Sequence, residues 1–254
     1  MLIDTHCHIY LKEFDEDRTD MLIRAENEGI NFFLMPAIDH SVFESLTEAE
    51  KGYPGKCLAM IGLHPCSVNK KFEDELDFVE KELINRKFIA VGEIGLDFYW
   101  DKTFIEEQYL AFQRQIELAL QYNLPIVIHS RNSIDECIKM VAKNQKGNLK
   151  GVFHCFSGTA DQANQIIDLG FYLGIGGVVT FKNSGLDKVM KDVDMTHIVL
   201  ETDSPYLAPV PFRGKRNECS YLKYVVHKLS EIKVLTKDEI EEMTTKNAKE
   251  LFNI

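Results

Sequence analysis

The 254-residue chain lacks the features that mark several other classes of protein. No apolar run approaches the roughly 18 residues needed to span a bilayer, so we expect no association with a membrane. The start of the chain, Met1 to His6, has neither a basic region nor a sustained apolar segment. This argues against a secretory signal and favours a cytoplasmic protein. Linkers, low-complexity tracts and internal repeats are also absent, so we expect residues 1–254 to form a single domain.

A paired C-x-x-C motif is missing too, although the chain has six cysteines. In a cytoplasmic protein of this size we interpret them as reduced thiols, most of them buried as small apolar side chains. Cys7 and Cys155 adjoin candidate ligand residues in predicted strands. Because side chains alternate along a strand, we expect both thiols to point away from the site that those ligands form.

An excess of positive charge is absent, since the formal net charge is −11. This balance argues against a protein that coats nucleic acid through a generally basic surface. It does not exclude an enzyme that acts on a phosphodiester, because a metal ion and a few basic side chains can supply positive charge locally. No feature of the sequence indicates an obligate protein partner.

Short apolar runs alternate with longer amphipathic stretches along the whole chain. Most runs are too short for helices and several are rich in Ile and Val, so we interpret them as eight β-strands. The predicted strands are Leu2–His6, Asn31–Ala37, Leu58–Gly62, Phe88–Gly92, Pro125–His129, Gly151–His154, Phe171–Gly174 and Ile198–Thr202. Continuous β-α alternation implies a parallel sheet, and eight units in this length predict an α/β fold of the (β/α)8 TIM-barrel type. The alternative, an open doubly wound sheet, would place a glycine-rich phosphate turn after the first strand, where this chain has histidines.

The stretches between the strands are predicted to be helices. Four begin with a hydroxyl residue followed three positions later by glutamate, the pattern of a capping box. These pairs are Ser41 and Glu44, Thr103 and Glu106, Ser133 and Glu136, and Thr236 and Glu239. We expect the last helix, about Lys237–Phe252, to pack on the outside of the barrel.

Six of the eight predicted strands end in His, Glu or Asp. His6 and His8 close the first strand, and residues two apart on a strand point the same way, so both imidazoles would aim at one place. The later candidates are His64, Glu93, His129, His154 and Asp203. Each alone could be an ordinary core or turn residue. The active site of a TIM barrel lies at the carboxyl ends of its strands, so the whole set favours a metal centre.

Four histidines, a glutamate and an aspartate are too many ligands for one tetrahedral zinc ion. They suit two divalent ions, about 3.5–4 Å apart, that lower the pKa of a bound water and stabilise a displaced oxygen. Mg²⁺, Mn²⁺ and Zn²⁺ all remain candidates. We assign Asp203, nearer the mouth, to the metals, while Glu201 lies deeper on the same face and would orient a ligand histidine. This chemistry predicts a hydrolase.

Six motifs occur in order along the chain. They are Asp4-Thr5-His6-Cys7-His8, Gly62-Leu63-His64-Pro65, Val91-Gly92-Glu93-Ile94-Gly95-Leu96-Asp97, Ile128-His129-Ser130-Arg131, His154-Cys155-Phe156-Ser157-Gly158 and Glu201-Thr202-Asp203-Ser204-Pro205-Tyr206-Leu207. Together they closely resemble the TatD family of metal-dependent deoxyribonucleases, within the amidohydrolase-like barrels. The resemblance runs from residue 2 to about residue 225.

The resemblance implies a pair of metal ions bridged by Glu93. One ion would be held by His6, His8, Glu93 and Asp203, and the other by Glu93, His129 and His154. Asp203 would also activate the attacking water, so Asp203 and Glu93 are the implied catalytic residues. Many relatives have a histidine where this chain has Cys66, which puts an auxiliary substrate contact in doubt. Many also have a proline at the position of Cys219, a difference that affects only a loop.

A local basic set lies near the proposed mouth of the barrel. Its members are Arg131, Lys182, Arg213, Lys215 and Arg216. They could form a solvated loop cluster, or they could grip phosphates, since Arg offers a fork matched to phosphate oxygens and Lys a point charge. The predicted substrate contacts are His64, Arg131, Arg213, Lys215 and Arg216. Four aromatic residues, Phe98, Tyr99, Trp100 and Tyr206, could stack on an unpaired base or belong to the core.

The leading hypothesis is a hydrolase that cleaves phosphodiester bonds of DNA from an end, like a 3'-5' exonuclease, through a water activated by two metal ions. Its expected partner is single-stranded DNA or a frayed end. The alternative is an amide, ester or lactone hydrolase of the same superfamily, many of whose members bridge their metals with a carboxylated lysine where this chain offers Glu93. A third hypothesis, a metal-binding protein without turnover, is disfavoured by the intact ligands and a candidate base.

Overall fold

Eight strands and nine α-helices alternate along residues 1–254, all of which the computed structural model describes. The strands are β1 (Leu2–Asp4), β2 (Ile30–Met35), β3 (Cys57–Ala59), β4 (Val91–Asp97), β5 (Ile126–Arg131), β6 (Gly151–Phe153), β7 (Tyr172–Ile175) and β8 (Ile198–Leu200). The helices are α1 (Arg18–Asn27), α2 (Phe43–Gly52), α3 (Phe72–Asn85), α4 (Ile105–Tyr122), α5 (Ile134–Asn144), α6 (Ala160–Asp168), α7 (Leu186–Asp192), α8 (Leu222–Lys233) and α9 (Lys237–Phe252). All eight predicted strands are present, but β4 lies further along the chain than expected, so Glu93 falls inside it.

The strands form two parallel sheets, β1-β2-β3 and β4-β5-β6-β7-β8, that join at two seams. At the first seam Gly92 N donates to Ile61 O over 2.8 Å, and the two segments pair in parallel through Ile61 and Val91. At the second seam Thr5 N donates to Leu200 O over 3.0 Å. Backbone pairing therefore runs around a closed cylinder. The predicted TIM barrel is confirmed and the open doubly wound sheet is excluded.

The interior of the barrel is filled by small and branched apolar side chains. This cluster contains Ile3, Leu34, Met60, Ala90, Val127, Val152 and Val199, together with Ala248, Leu251 and Phe252 of α9. Neighbouring residues such as Ile126 and Ile128 belong instead to the larger cluster that packs against the helices. Alternation along the strands explains this division between the two faces of the sheet.

Helix α9 closes one end of the barrel. Asn247 Nδ2 donates to Met195 O and Ile198 O over 2.7 and 2.8 Å, and Thr245 Oγ1 donates to Met1 O over 2.7 Å. These carbonyls lie where β1 and β8 begin, so α9 lies against the amino-terminal end of the barrel. The helix thus lies outside the barrel as expected, but at its end, and its last apolar residues enter the interior cluster, which was not predicted. No helix of the structure has both the length and the apolar character that crossing a membrane requires.

Candidate metal centre

Two glycines allow β4 to bring Glu93 close to β5. A Cβ atom on Gly92 would lie 2.7 Å from Val127 Cβ, and one on Gly95 would lie 2.1 Å from the carbonyl oxygen of His129. Gly95 also has a φ of +138°, a conformation that other residues rarely adopt. Any larger side chain at either position would push the two strands apart. The glycines beside Glu93 thus hold its carboxylate next to His129.

His6 and His8 follow the end of β1 and converge on the same place. Their Nε2 atoms lie 3.2 Å apart. The segment is fixed to the far end of the chain, because His8 N donates to Ser204 O over 2.7 Å and Asp203 N donates to His6 O over 2.9 Å. The same hydrogen bonds therefore close the barrel and bring Asp203 to the two histidines.

The carboxylate of Glu93 lies between two groups of side chains. Its Oε2 is 3.2 Å from His6 Nε2 and 3.6 Å from His8 Nε2. Its Oε1 faces the other group, at 2.9 Å from His129 Nδ1 and 3.8 Å from His154 Nε2. Both oxygens of one buried carboxylate thus face imidazole nitrogens, and Oε1 also lies 3.4 Å from His64 Nε2.

Asp203 completes the first group and touches the second. Its Oδ1 lies 3.7 Å from both His6 Nε2 and His8 Nε2, and 3.8 Å from His154 Nε2. Glu201 is almost fully buried behind His154, with Oε1 2.9 Å from His154 Nδ1. The same Oε1 accepts a hydrogen bond from Cys155 N over 2.6 Å. Asp203 therefore lies nearer the opening and Glu201 deeper, as the spacing of the two residues predicted.

The protonation of His8 shows that these groups fit a cation. Tyr10 has one hydroxyl hydrogen, which it donates to Pro36 O over 2.7 Å. The Tyr10 oxygen therefore accepts from Nδ1 of His8, 2.9 Å away. With its proton on Nδ1, His8 directs the lone pair of Nε2 towards His6 and the carboxylates of Glu93 and Asp203. Lone pairs and carboxylate oxygens that converge in a buried place, as they do here, are the donor set of a divalent metal ion.

His64 differs from His8 in its protonation. The backbone N–H of Cys66 donates to His64 Nδ1 over 3.0 Å, so the proton of the neutral ring lies on Nε2. That nitrogen is 3.4 Å from Glu93 Oε1 and 3.3 Å from His129 Nδ1. His64 thus presents a hydrogen-bond donor beside the carboxylate rather than a lone pair. This geometry suits a contact with a substrate oxygen.

Burial controls the charge of the histidines near β1. It lowers the pKa of His6, and the neighbouring ring of His154 lowers it further. Burial together with His6 also lowers the pKa of His8 well below its usual value. Both rings are therefore neutral near pH 7 and able to act as ligands. Burial also raises the pKa of Glu201, to about 7.

A cavity of about 1010 Å³ opens above these groups. The metal-centre residues that line it are His8, Glu93, His129, His154 and Asp203, and the predicted substrate contacts that line it are His64, Arg131, Arg213 and Lys215. The cavity therefore joins a buried donor set to basic side chains at the opening.

A family model described as TatD related DNase matches residues 3–253. The chain belongs to the TatD family. An uncharacterized metal-dependent hydrolase of Bacillus subtilis, YabD, is 38% identical to this TatD-family chain over 255 residues, covering 100% of both chains. The crystal structure of YjjV, a TatD homolog from Escherichia coli K12, has a TM-score of 0.94 at 31% identity, covering 100% of this chain and 98% of that one. A TatD family hydrolase from Entamoeba histolytica has a TM-score of 0.85 at 25% identity, covering 99% and 97%. The chain is accordingly a TatD-family metal-dependent hydrolase.

One residue of this TatD-family site was given no role from the sequence. Asp97 ends β4, and its Oδ2 lies 2.8 Å from His129 Nε2. Every second residue of a strand points to the same face, so Glu93, Gly95 and Asp97 share one face of β4. Both carboxylates therefore contact the ring of His129. Burial lowers the pKa of His129, but hydrogen bonds with Asp97 and Glu93 raise it more, to about 9. The i, i+4 spacing of two acidic residues in a strand was the signal that could have identified Asp97.

One predicted substrate contact, one further member of the basic set and one cysteine are placed differently from the prediction. Arg216 does not line the cavity, because its guanidinium forms two 2.7 Å hydrogen bonds with the carboxylate of Asp17 and packs over Phe14. Lys182 does not line it either. Cys155 does line the cavity, contrary to the expectation that it points away. Strand β6 ends at Phe153 and Cys155 has a φ of +48°, so the alternation of the strand no longer applies there.

Proposed function

We propose that this TatD-family hydrolase cleaves phosphodiester bonds of DNA at an unpaired end, with two divalent metal ions. In this proposal His6, His8, Glu93 and Asp203 would hold one ion, and Glu93, His129 and His154 would hold the other. The observation that carries it is the buried carboxylate of Glu93, whose Oε2 faces His6 and His8 while its Oε1 faces His129 and His154. Mg²⁺, Mn²⁺ and Zn²⁺ are the candidate metals.

Bound divalent ions supply positive charge for phosphate oxygens and make a coordinated water more acidic. The chain's own residues do the rest. Asp203 is the proposed base that takes a proton from the attacking water, since its carboxylate is buried among the donor groups yet reaches the cavity. Glu201 lies behind the ring of His154, with Oε1 2.9 Å from Nδ1, and is the residue proposed to orient that ring. Glu93 is the second proposed catalytic group, because it would keep both ions in place.

The lining of the cavity supports the proposed substrate contacts. His64 Nε2–H is positioned to donate to a substrate oxygen, and Arg131, Arg213 and Lys215 offset the charge of flanking phosphates. Glu93 and His154 are almost fully buried beneath them. A strand end can reach such a recessed floor, whereas the flank of a rigid duplex cannot. This supports single-stranded DNA or a frayed end as the partner.

The decisive test is release of nucleotides from end-labelled single-stranded DNA in the presence of Mn²⁺ or Mg²⁺. A closed circle of the same sequence, which has no end, should resist. Asp203→Ala should lower the rate by about 100-fold or more, as expected for loss of a general base, and His129→Ala should also lower it. Leu110→Ala, an exposed change on α4, is the matched control.

The result that contradicts the proposal is rapid hydrolysis of amides, esters or lactones by a protein that leaves every DNA substrate intact. Cleavage of the circle at the rate of the linear strand would contradict the end requirement alone. A 3' label lost before a 5' label would support the 3'-5' direction. The cytoplasmic location, the single domain and the lack of an obligate protein partner stay predictions.

A further inference from the structure

We propose that Tyr99, Trp100 and Arg131 form a stacking site for one unpaired nucleobase of the substrate. This inference rests on the proposed function and deepens it, because it names how the strand is held beside the metal centre. Trp100 and Arg131 line the same cavity as Glu93 and Asp203. We call these three side chains the stacking site.

The stacking site is an open aromatic surface. Trp100 is 66% exposed and Tyr99 is 50% exposed. Their rings meet edge to face, with centroids 5.0 Å apart. The guanidinium of Arg131 lies over Tyr99 at 4.1 Å and within 5.3 Å of the Trp100 ring. Two aromatic rings and a planar cation are thus gathered at one place on the rim of the cavity.

The loop that carries the rings is tied to the metal centre. Asp97 Oδ1 accepts hydrogen bonds from the backbone N–H groups of Tyr99 and Trp100, each over 2.9 Å. Its other oxygen contacts His129 Nε2 at 2.8 Å. In addition, Phe98 N donates to Arg131 O over 2.9 Å. The backbone that carries the two rings is therefore fixed before any ligand arrives, which reduces the entropy lost on binding.

The chemistry of the stacking site selects an unpaired base. The exposed rings of Tyr99 and Trp100 offer flat apolar faces beside a polar cavity, which suits a ligand that is itself planar and aromatic. Nucleobases stack on aromatic rings and on guanidinium planes, and such contacts tolerate any sequence because every base has a π-face. A base within a duplex is already stacked on its neighbours, so only a single strand can offer one. Small amides, esters and lactones that lack an aromatic plane gain nothing from this surface.

A binding measurement tests the stacking site without turnover. Trp100 is the only tryptophan of the chain, so its fluorescence reports on this place alone. The probe is a single-stranded phosphorothioate oligonucleotide, which resists hydrolysis, added to the Mn²⁺-loaded protein. The matched probe carries abasic residues at the last three positions of the same end. We expect the base-containing strand to quench and shift the emission of Trp100, and the abasic strand to change it much less.

A kinetic experiment tests the same contact in turnover. Trp100→Ala should lower kcat/KM for ordinary single-stranded DNA by about 5- to 150-fold, the range expected for loss of one stacked base. Trp100→Phe, which keeps an aromatic face, should restore most of this loss. With the abasic strand, the difference between the wild-type protein and Trp100→Ala should shrink. Leu110→Ala is again the exposed apolar control.

The outcomes separate this inference from the proposed function. If the protein degrades single-stranded DNA but Trp100→Ala is as active as the wild type and neither strand changes the fluorescence, the stacking site is wrong and the nuclease stands. If no phosphodiester substrate is hydrolysed and no strand quenches Trp100, both are wrong. Equal quenching by the normal and abasic strands would show that phosphates alone are bound, which also overturns the inference.

Discussion

The hydroxyl of Tyr10 places the proton of neutral His8 on Nδ1 and leaves the lone pair of Nε2 facing the candidate metal centre. Tyr10→Phe removes the acceptor for His8 Nδ1–H and should free the ring to adopt either tautomer. We expect metal affinity to fall by about 10- to 100-fold, the usual result of losing an outer hydrogen bond to a ligand histidine. Isothermal titration of the chelator-treated protein with Mn²⁺ measures this. Tyr53→Phe, which removes a hydroxyl bonded to Thr19 at the surface, is the control. Equal affinities for the two variants would contradict the assignment.

The pair of Asp97 and His129 should make the stability of the metal-free protein depend on pH. The pKa of His129 is raised from 6.5 to about 9, because hydrogen bonds with Asp97 and Glu93 outweigh burial. A raised pKa means that the pair stabilises the fold fully below pH 6.5, and that this contribution is lost as the pH rises through about 9. Between these pH values the free energy of unfolding should fall by about 1–3 kcal/mol less in Asp97→Asn than in the wild-type protein. Urea unfolding of the two chelator-treated proteins across this pH range measures the difference. If the free energy of unfolding varied with pH in the same way for both, the assignment would be contradicted.

The sequence was informative about donor residues and less so about their partners. The convergence of His6, His8, Glu93, His129, His154 and Asp203 could be predicted because residues at strand ends meet in a barrel, whatever the details of packing. Tyr10 could not be assigned, since its role depends on two hydrogen bonds, with His8 and Pro36, whose partners are set by exact backbone positions. The pairing of Arg216 with Asp17 could not be predicted either, because the two residues are far apart in the chain.

Among the elements, one predicted capping box of the four is formed. Thr236 accepts from Glu239 N over 3.2 Å and Glu239 Oε2 accepts from Thr236 N over 2.8 Å. We expect Thr236→Ala to lower the free energy of unfolding by about 1 kcal/mol. Thr103→Ala, in a second predicted box, should change it by less than about 0.5 kcal/mol, because α4 begins later, at Ile105. Denaturant titration compares the two variants. An equal loss of unfolding free energy in the two variants would contradict the assigned starts of α4 and α9.

The other predicted boxes failed because a hydroxyl found a different partner or position. Ser133 does precede α5, but its hydroxyl donates to Leu96 O over 2.6 Å instead of capping the helix. Ser41 lies within a short 3₁₀ turn that Asp39 caps. A box that was not predicted, Thr159 with Gln162, does form at the start of α6. Local patterns thus predict that a helix begins nearby, whereas tertiary contacts decide which hydroxyl caps it.

At the scale of the whole molecule, strand alternation was sufficient to predict the barrel but not its ends. Eight apolar runs separated by amphipathic stretches leave few topologies open, because parallel strands need crossover helices. The same pattern predicts only that α9 has an apolar face. It cannot predict that Leu251 and Phe252 enter the barrel, since that depends on the space left by side chains from all the strands.

Arg216 belongs to a network that links distant parts of the molecule. Its guanidinium pairs with Asp17 at the start of α1, and Arg24 joins Asp17 to Glu218. Arg216→Ala should therefore lower the free energy of unfolding by up to about 1 kcal/mol, the usual limit for a half-exposed ion pair. It should not raise KM for single-stranded DNA, whereas Arg213→Ala in the cavity should. Steady-state kinetics and urea unfolding of both variants measure this, and a raised KM for Arg216→Ala alone would restore it as a substrate contact.

The central claim is that the closed barrel places Glu93 between two metal ions. The most direct measurement is anomalous diffraction from crystals of the protein grown with abundant Mn²⁺. The account predicts two manganese peaks about 3.5–4 Å apart, one on each side of the Glu93 carboxylate, with His6 and His8 at one and His129 and His154 at the other. A single peak, or manganese beyond coordinating distance of Glu93, would contradict it.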